Sequence, residues 1–77
     1  MVNARLYGIL RLNAGKSAVE VEANRVDRAI MQVAVQSNLE VKELKRCTIL
    51  VNGKQARMRA KLVDGDELVF LSPAGGG

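Results

Sequence analysis

The chain has 77 residues, enough for one domain with a small hydrophobic core. Hydrophobic residues make up 48% and charged residues 26%, a balance typical of globular rather than disordered proteins. No apolar run approaches the ~20 residues that a membrane-spanning helix needs, and the N-terminal residues do not form the apolar segment of a secretory signal. We therefore expect a cytoplasmic protein that does not bind membranes.

Missing residue types exclude several kinds of site. The sequence has no His and no Trp, and Cys47 is its only cysteine. A structural zinc site needs about four His or Cys ligands, and Ser-His-Asp and Cys-His nucleophiles need an imidazole. We expect no bound metal or cofactor, no disulfide within the chain and no catalysis by the chain itself. Cys47 opens an apolar segment and is interpreted as a core residue rather than a reactive thiol.

The net charge is +4, from 12 Lys and Arg against 8 Asp and Glu. The basic residues are dispersed along the chain, and only Tyr7 and Phe70 are aromatic. A surface on which single-stranded nucleic acid could stack is therefore poorly supplied. Nucleic acid is not expected as a partner.

Alternating apolar and polar residues predict a strand over residues 2–12 and a second one over residues 17–23. The turn signal Asn13-Ala14-Gly15 between them predicts a β-hairpin. Gly15-Lys16-Ser17 resembles the end of a phosphate-binding loop, but Leu10 stands where that motif requires glycine. We interpret the segment as the hairpin turn.

An amphipathic helix is predicted after the second strand, with Asn24 as a plausible N-cap. From Val26 onward, apolar residues recur at positions i, i+3, i+4, i+7 and i+8, which predicts three to four turns ending near residue 37 or 38. Residues 39–46 show a mixed pattern and are interpreted as an irregular link.

The second half of the sequence predicts β structure. Residues 47–51 form a β-rich run, and Asn52-Gly53 after it is the strongest short hairpin signal. A short β element follows. Asp64-Gly65-Asp66 is interpreted as a turn rather than a metal site. Residues 67–72 form the last predicted strand, which Pro73 ends.

The predicted order is two strands, a helix, a strand, a short β element and a strand. A right-handed crossover through the helix would make the first and last strands parallel neighbours in the centre of the sheet. We therefore predict an α+β fold of the β-grasp type, a mixed sheet of four or five strands with one main helix on one face. It would be a single domain over residues 1–73 with a flexible glycine-rich tail over residues 74–77.

The C-terminus carries the clearest functional signal. The last predicted strand runs directly into the sequence Pro73-Ala74-Gly75-Gly76-Gly77. Glycine has no Cβ, so such a segment can thread into a channel too narrow for side chains. The terminal carboxylate is ionised at neutral pH and can attack a nucleotide α-phosphate. We predict that Gly77 is the reactive residue and that Pro73, Ala74, Gly75 and Gly76 thread it into a partner; an incidental tail is the alternative.

Four segments carry a resemblance to a known family: LRLNAGK at residues 10–16, VNG at 51–53, LVDGDE at 62–67 and SPAGGG at 72–77. Over its whole length the chain resembles the small subunit of molybdopterin synthase, the MoaD family of ubiquitin-like sulfur carriers. The thiamine-pathway carriers of the ThiS type share the fold and the Gly-Gly end, but lack the LRxxAGK-type stretch. Ser72 replaces the first proline of the family's usual pair, and Ala-Gly-Gly-Gly replaces Val-Ala-Gly-Gly.

The resemblance implies a substrate-like carrier rather than an enzyme. An activating enzyme that consumes ATP would adenylate Gly77, and a sulfur donor would convert the acyl-adenylate to a thiocarboxylate. The tail would then deliver sulfur to a pterin precursor in the large subunit of the synthase. Three alternatives remain: a ubiquitin-like modifier conjugated through Gly77, a thiamine-pathway carrier, and a basic binding module.

Strand alternation also predicts a binding surface. It directs Leu68 and Phe70 toward the helix and places five apolar residues on or beside the opposite sheet face: Tyr7, Ile9, Leu62, Val69 and Leu71. We expect this face to bind the activating enzyme and the large subunit, because a contiguous exposed apolar patch marks a docking surface. The alternative is that residues 39–46 fold over it.

Overall fold

The structure is a computed structural model that describes residues 1–72. It contains five strands and three helices in this range: β1 (Val2–Leu6), α1 (Ile9–Ala14), β2 (Ala18–Val21), α2 (Val26–Ser37), α3 (Val41–Lys45), β3 (Thr48–Val51), β4 (Lys54–Gln55) and β5 (Glu67–Leu71).

The strands form one mixed sheet in the order β2-β1-β5-β3-β4. The central strands β1 and β5 are parallel, with Ala4 opposite Leu68 and Leu6 opposite Phe70. All other neighbouring pairs in this sheet are antiparallel. The α+β class and the parallel pairing of the first and last strands are confirmed.

Helix α2 supplies one side of the core. Its buried apolar residues follow the predicted spacing, and Ile30 and Val33 are fully inaccessible to solvent. They share one hydrophobic cluster with alternate residues of the central strands, including the fully buried Leu68 and Phe70. Each such side chain contributes about 1.5–3 kcal/mol by leaving water. The helix ends at Ser37, and Asn38 after it, with a left-handed φ of 55°, is the C-cap.

The segment predicted as a strand over residues 2–12 is shorter and ends in a helix. Strand β1 stops at Leu6, and Gly8, with a φ of 65°, turns the chain into α1. Gly15 then ends α1 with a φ of 72°. Six residues are too few to show a helical period, and their alternation imitated a strand. Strands β1 and β2 pair antiparallel as predicted, but a helix rather than a tight turn connects them.

The N-terminus of α2 is capped by a distant loop. The helix begins at Val26 after Arg25, which makes no side-chain capping bond within the described chain, so the prediction of Asn24 as N-cap is wrong. The Val26 N–H instead donates to the carbonyl of Ala60 at 3.0 Å. This partner is far away in sequence, so no local pattern indicates it.

The predicted irregular link at residues 39–46 contains the short helix α3. Leu44 on this helix is fully buried, and Leu39 before it is 8% exposed. Both belong to the same cluster as α2 and the inner face of the sheet. Helix α3 therefore extends the layer that α2 forms.

Asn52 and Asp66 join the β3–β4 turn to the loop before β5. The Asn52 side-chain amide donates to Asp66 Oδ1 at 2.9 Å, and Asn52 Oδ1 accepts from the Glu67 N–H at 2.9 Å. Asp66 Oδ2 accepts from the Val63 N–H, also at 2.9 Å. The bond from the Val63 N–H, and to a smaller extent the bond from Asn52, stabilises the carboxylate and lowers the pKa of Asp66. Asp64-Gly65-Asp66 is thus the predicted turn.

This hydrogen-bond cluster predicts a contribution to acid stability. Because the pKa of Asp66 is lower in the folded than in the unfolded chain, its stabilising effect is present above about pH 4. The effect is lost as the pH falls through the folded value. We expect Asp66→Asn to lower the thermal midpoint at neutral pH and to lower it less below about pH 3, as measured by circular dichroism.

Glu40→Gln is the matched control, since it removes the same charge from an exposed position outside the cluster. A constant difference between Asp66→Asn and the wild type at every pH would contradict the prediction.

Candidate functional site

Helices leave one face of the sheet uncovered within the described chain. In β5, Phe70 is fully buried, whereas Leu71 next to it is 36% exposed and Val69 is half-buried. Thr48 lies opposite Leu71 on β3 and is also exposed. The face opposite α2 is therefore open to solvent, and α3 does not fold over it.

Strand register brings four apolar side chains together on this face. Val69 has Leu50 as its partner on β3, and Leu50 is half-buried. Tyr7, which is 42% exposed, follows β1 and donates its N–H to the Phe70 carbonyl at 3.2 Å, beside Leu71. We call Tyr7, Leu50, Val69 and Leu71 the apolar patch.

Sequence reasoning placed three of these four residues and missed Leu50. In the run from Cys47 to Val51 nearly every residue is apolar, so alternation does not say which side chains face the helix. The register supplies that information, because Leu50 must share a face with its partner Val69.

The orientations predicted for Ile9 and Leu62 are wrong. Ile9 is the first residue of α1 rather than a strand residue, and its exposed side chain lines a small cavity with Ser72. Leu62 is only 4% exposed and belongs to the hydrophobic core. Its N–H donates to the Asn24 carbonyl at 3.0 Å, which ties this segment to the start of α2. Leu62 is therefore not on the surface.

A charged pair borders the apolar patch. Arg5 Nε donates to Glu67 Oε2 at 2.9 Å, and each side chain is 47% exposed. Arg5 is the register partner of Val69 on the other side from Leu50, so the pair lies on the same open face. An exposed ion pair of this kind adds little stability. It gives the patch a polar border at the β1 side.

The apolar patch lies at the point where the described chain ends. Leu71 closes β5, and Ser72 is the last described residue. The predicted threading residues Pro73, Ala74, Gly75 and Gly76 and the predicted reactive residue Gly77 lie outside the described residues: they remain predictions. In the sequence, Pro73 follows Leu71 by two residues.

Comparison with known families identifies the chain. The model of the ThiS family matches residues 2–77, nearly the whole sequence. The chain belongs to the ThiS family. Comparison with curated proteins gives no significant match.

Solved structures of similar fold include carriers and modifiers. Small archaeal modifier protein 1 from Haloferax volcanii has a TM-score of 0.79 and 22% identity, over 99% of this chain and 98% of that one. A chain of the complex of subunits 1 and 2 of molybdopterin-converting factor from Helicobacter pylori has a TM-score of 0.64 and 27% identity, over 99% and 97%. A chain of the BexX/CysO complex from Amycolatopsis orientalis has a TM-score of 0.75 and 25% identity, over 100% of both.

These relatives confirm the β-grasp fold and the resemblance to ubiquitin-like carriers of the ThiS and MoaD type. The family comprises small sulfur carriers and related modifiers. In residues 1–72 no group of three His, Cys, Asp or Glu side chains is placed to hold a metal ion. In the same range no helix has both the length and the apolarity needed to cross a membrane.

Cys47 is a core residue in this ThiS-family chain, as predicted. It is 8% exposed, and its thiol donates to the Glu43 carbonyl at 3.3 Å. Burial, and secondly the negative charge of Glu43, raise the pKa of the thiol. The reactive thiolate is therefore a minor form at neutral pH.

The sequence analysis expects any sulfur to be carried at Gly77, and on that expectation Cys47→Ala should still acquire it. The loss of a small buried side chain should cost about 0.5–2 kcal/mol of unfolding free energy. The measurements are the denaturant midpoint and the intact mass after incubation with an activating enzyme, ATP and a sulfide source. A folded Cys47→Ala protein that gains no sulfur would show that the thiol carries it.

Proposed function

We propose that this chain is a sulfur carrier for molybdopterin synthesis, acting as the small subunit of molybdopterin synthase. The observation that carries the proposal is the match to the ThiS family, which extends to Gly77. The 27% identity with a chain of the molybdopterin-converting factor complex supports this particular pathway.

The proposed chemistry takes place at the C-terminal carboxylate. A carboxylate oxygen of Gly77 attacks the α-phosphate of ATP, and pyrophosphate leaves as the acyl-adenylate forms. Sulfide from a sulfur donor then displaces AMP from the carbonyl carbon and gives a thiocarboxylate. The activating enzyme consumes the ATP, so the carrier needs no cofactor of its own. When the sulfur passes to the acceptor, water restores the carboxylate.

The apolar patch would bind the partner enzymes. Leu71 lies two residues before Pro73, where the predicted threading segment begins, so a protein that holds this segment must pass close to Leu71. Tyr7 and Val69 beside it enlarge the apolar area, and Arg5 with Glu67 supplies a polar border. Interfaces commonly have this arrangement, with an apolar centre and a polar rim.

Two alternatives use the same activated Gly77. A carrier of the thiamine pathway is favoured by the family whose model matches. A protein modifier is favoured by the fold shared with small archaeal modifier protein 1. The products distinguish a carrier of either pathway from a modifier. A carrier gains the mass of one sulfur-for-oxygen exchange, and a modifier forms high-mass conjugates with lysines.

One prediction concerns the three terminal glycines. With the matching activating enzyme and ATP, the wild type should support pyrophosphate exchange, and deletion of Gly75, Gly76 and Gly77 together should reduce the exchange strongly. Deletion of Gly77 alone is the matched control, because it keeps a Gly-Gly end but shortens the reach by roughly 3.3–3.6 Å. We expect partial loss there. Full activity of the protein that lacks all three glycines would refute the glycine segment as the reactive end.

A further prediction concerns Leu71. Its charged variant Leu71→Asp should fold normally, since the side chain is exposed in the free protein. At the centre of an interface the change should cost about 2 kcal/mol or more, or at least about thirtyfold in affinity. Calorimetric titration with the activating enzyme and with the synthase large subunit measures this loss.

Val35→Asp is the matched control for Leu71→Asp. Val35 is 83% exposed on α2 and therefore lies on the helical side of the sheet, away from the apolar patch. It should bind both partners like the wild type. Equal binding by the two variants would exclude the patch as the docking surface.

A further inference from the structure

Gly8 and Ser72 meet where the two central strands end. The β1–β5 ladder finishes with the bond from the Tyr7 N–H to the Phe70 carbonyl. Just beyond it, Ser72 Oγ donates to the Tyr7 carbonyl at 3.4 Å. A Cβ added at Gly8 would overlap Ser72 Oγ and would lie 3.4 Å from Ser72 Cβ. Ser72 thus occupies the space that a side chain at residue 8 would fill.

Gly8 is also required by its backbone conformation. Its φ of 65° and ψ of −139° form a combination that residues with a Cβ avoid. This conformation turns the chain from β1 into α1. Gly15, at the other end of α1, also has a positive φ, but open space surrounds the position of its missing Cβ. The close approach to another segment therefore distinguishes Gly8 from Gly15.

We propose that Gly8 and Ser72 form a joint that fixes the orientation of Ser72 and with it the direction in which the chain leaves the domain. Ser72 has no ring to restrict its φ, unlike the proline that follows it. The bond to Tyr7 and the fit against Gly8 supply that restriction instead. Both would be positioning residues for the chemistry at Gly77, and this part of the inference rests on the proposed function.

The direction at Ser72 matters because Gly77 lies only five residues further along the chain. Residues 73–77 can span at most about 17 Å. The position of Gly77 therefore depends strongly on the direction in which the segment starts. If Ser72 could reorient freely, the partner enzyme would have to select one direction among many and bear the entropic cost of ordering the segment. That cost should appear mainly in KM.

A set of four variants tests the joint. Ser72→Ala removes the hydroxyl group and leaves Gly8 intact. Gly8→Ala introduces both the backbone strain and the overlap with Ser72. The double variant keeps the strain but removes the overlapping oxygen. Gly15→Ala is the control, because Gly15 also has a positive φ but a Cβ added there would meet no other atom within 4 Å.

The first measurement does not depend on function. We expect the backbone order parameter at residue 72, from ¹⁵N relaxation, to fall in Ser72→Ala from about 0.85 toward 0.6 while the thermal midpoint changes little. In Gly8→Ala it should fall further, and in the double variant it should return to the Ser72→Ala value. Gly15→Ala should leave it unchanged.

The second measurement is pyrophosphate exchange with the activating enzyme. Ser72→Ala should raise KM roughly three- to tenfold with a nearly unchanged kcat. The effects of Gly8→Ala and Ser72→Ala should be non-additive, because the two residues are in contact.

The outcomes separate this inference from the proposed function. An unchanged order parameter in Ser72→Ala would overturn the joint, even if Gly8→Ala fails to fold. Equal order parameters at residue 72 in Gly8→Ala and in the double variant would also overturn the joint. If the wild type supports no pyrophosphate exchange, the proposed function fails, and the relaxation data still decide whether the joint exists.

Discussion

The parallel pairing of β1 with β5 is the constraint on which the rest of the structure depends. Its register places Ala4 beside Leu68 and Leu6 beside Phe70, so alternate residues of both central strands face α2. A slip of one residue would turn these side chains to the open face and is therefore strongly disfavoured. The same alternation turns Leu71 outward because Phe70 is buried. Core packing thus decides which residue the domain presents beside its C-terminal segment.

The open sheet face follows from the size of the domain. A chain this short builds two layers, and the helices available within residues 1–72 cover only one side of the sheet. Stability and recognition can then reside on opposite faces of the same strand, because Phe70 contributes to the core and Leu71 stays exposed. Substitutions on the open face can change binding without changing the fold.

The sequence allowed prediction of the features that have a long or strong local signal. Helix α2 spans twelve residues and shows its period, and Asn52-Gly53 specifies the β3–β4 turn. The short helices α1 and α3 were missed because five or six residues show no period. Leu62 was misjudged because its burial depends on long-range contacts, and Leu50 was missed because its orientation depends on strand register. Tyr7, Val69 and Leu71 lie on the open face as predicted, because the alternation along β1 and β5 is clear; their role in binding stays a prediction.

The shifted pKa values of the carboxylates and the thiol in residues 1–72 have structural causes. The lowered pKa values belong to surface carboxylates held by structural bonds, Asp66 by Val63 and Asn52, and Asp27 by the guanidinium of Arg25. The raised pKa of Cys47 comes from burial and makes its thiol less reactive. Each shift thus has a structural cause in a turn, a helix start or the core. Under the proposed function the domain acts by presenting a reactive group, and the apolar patch at the end of β5 lies just before the segment predicted to carry that group.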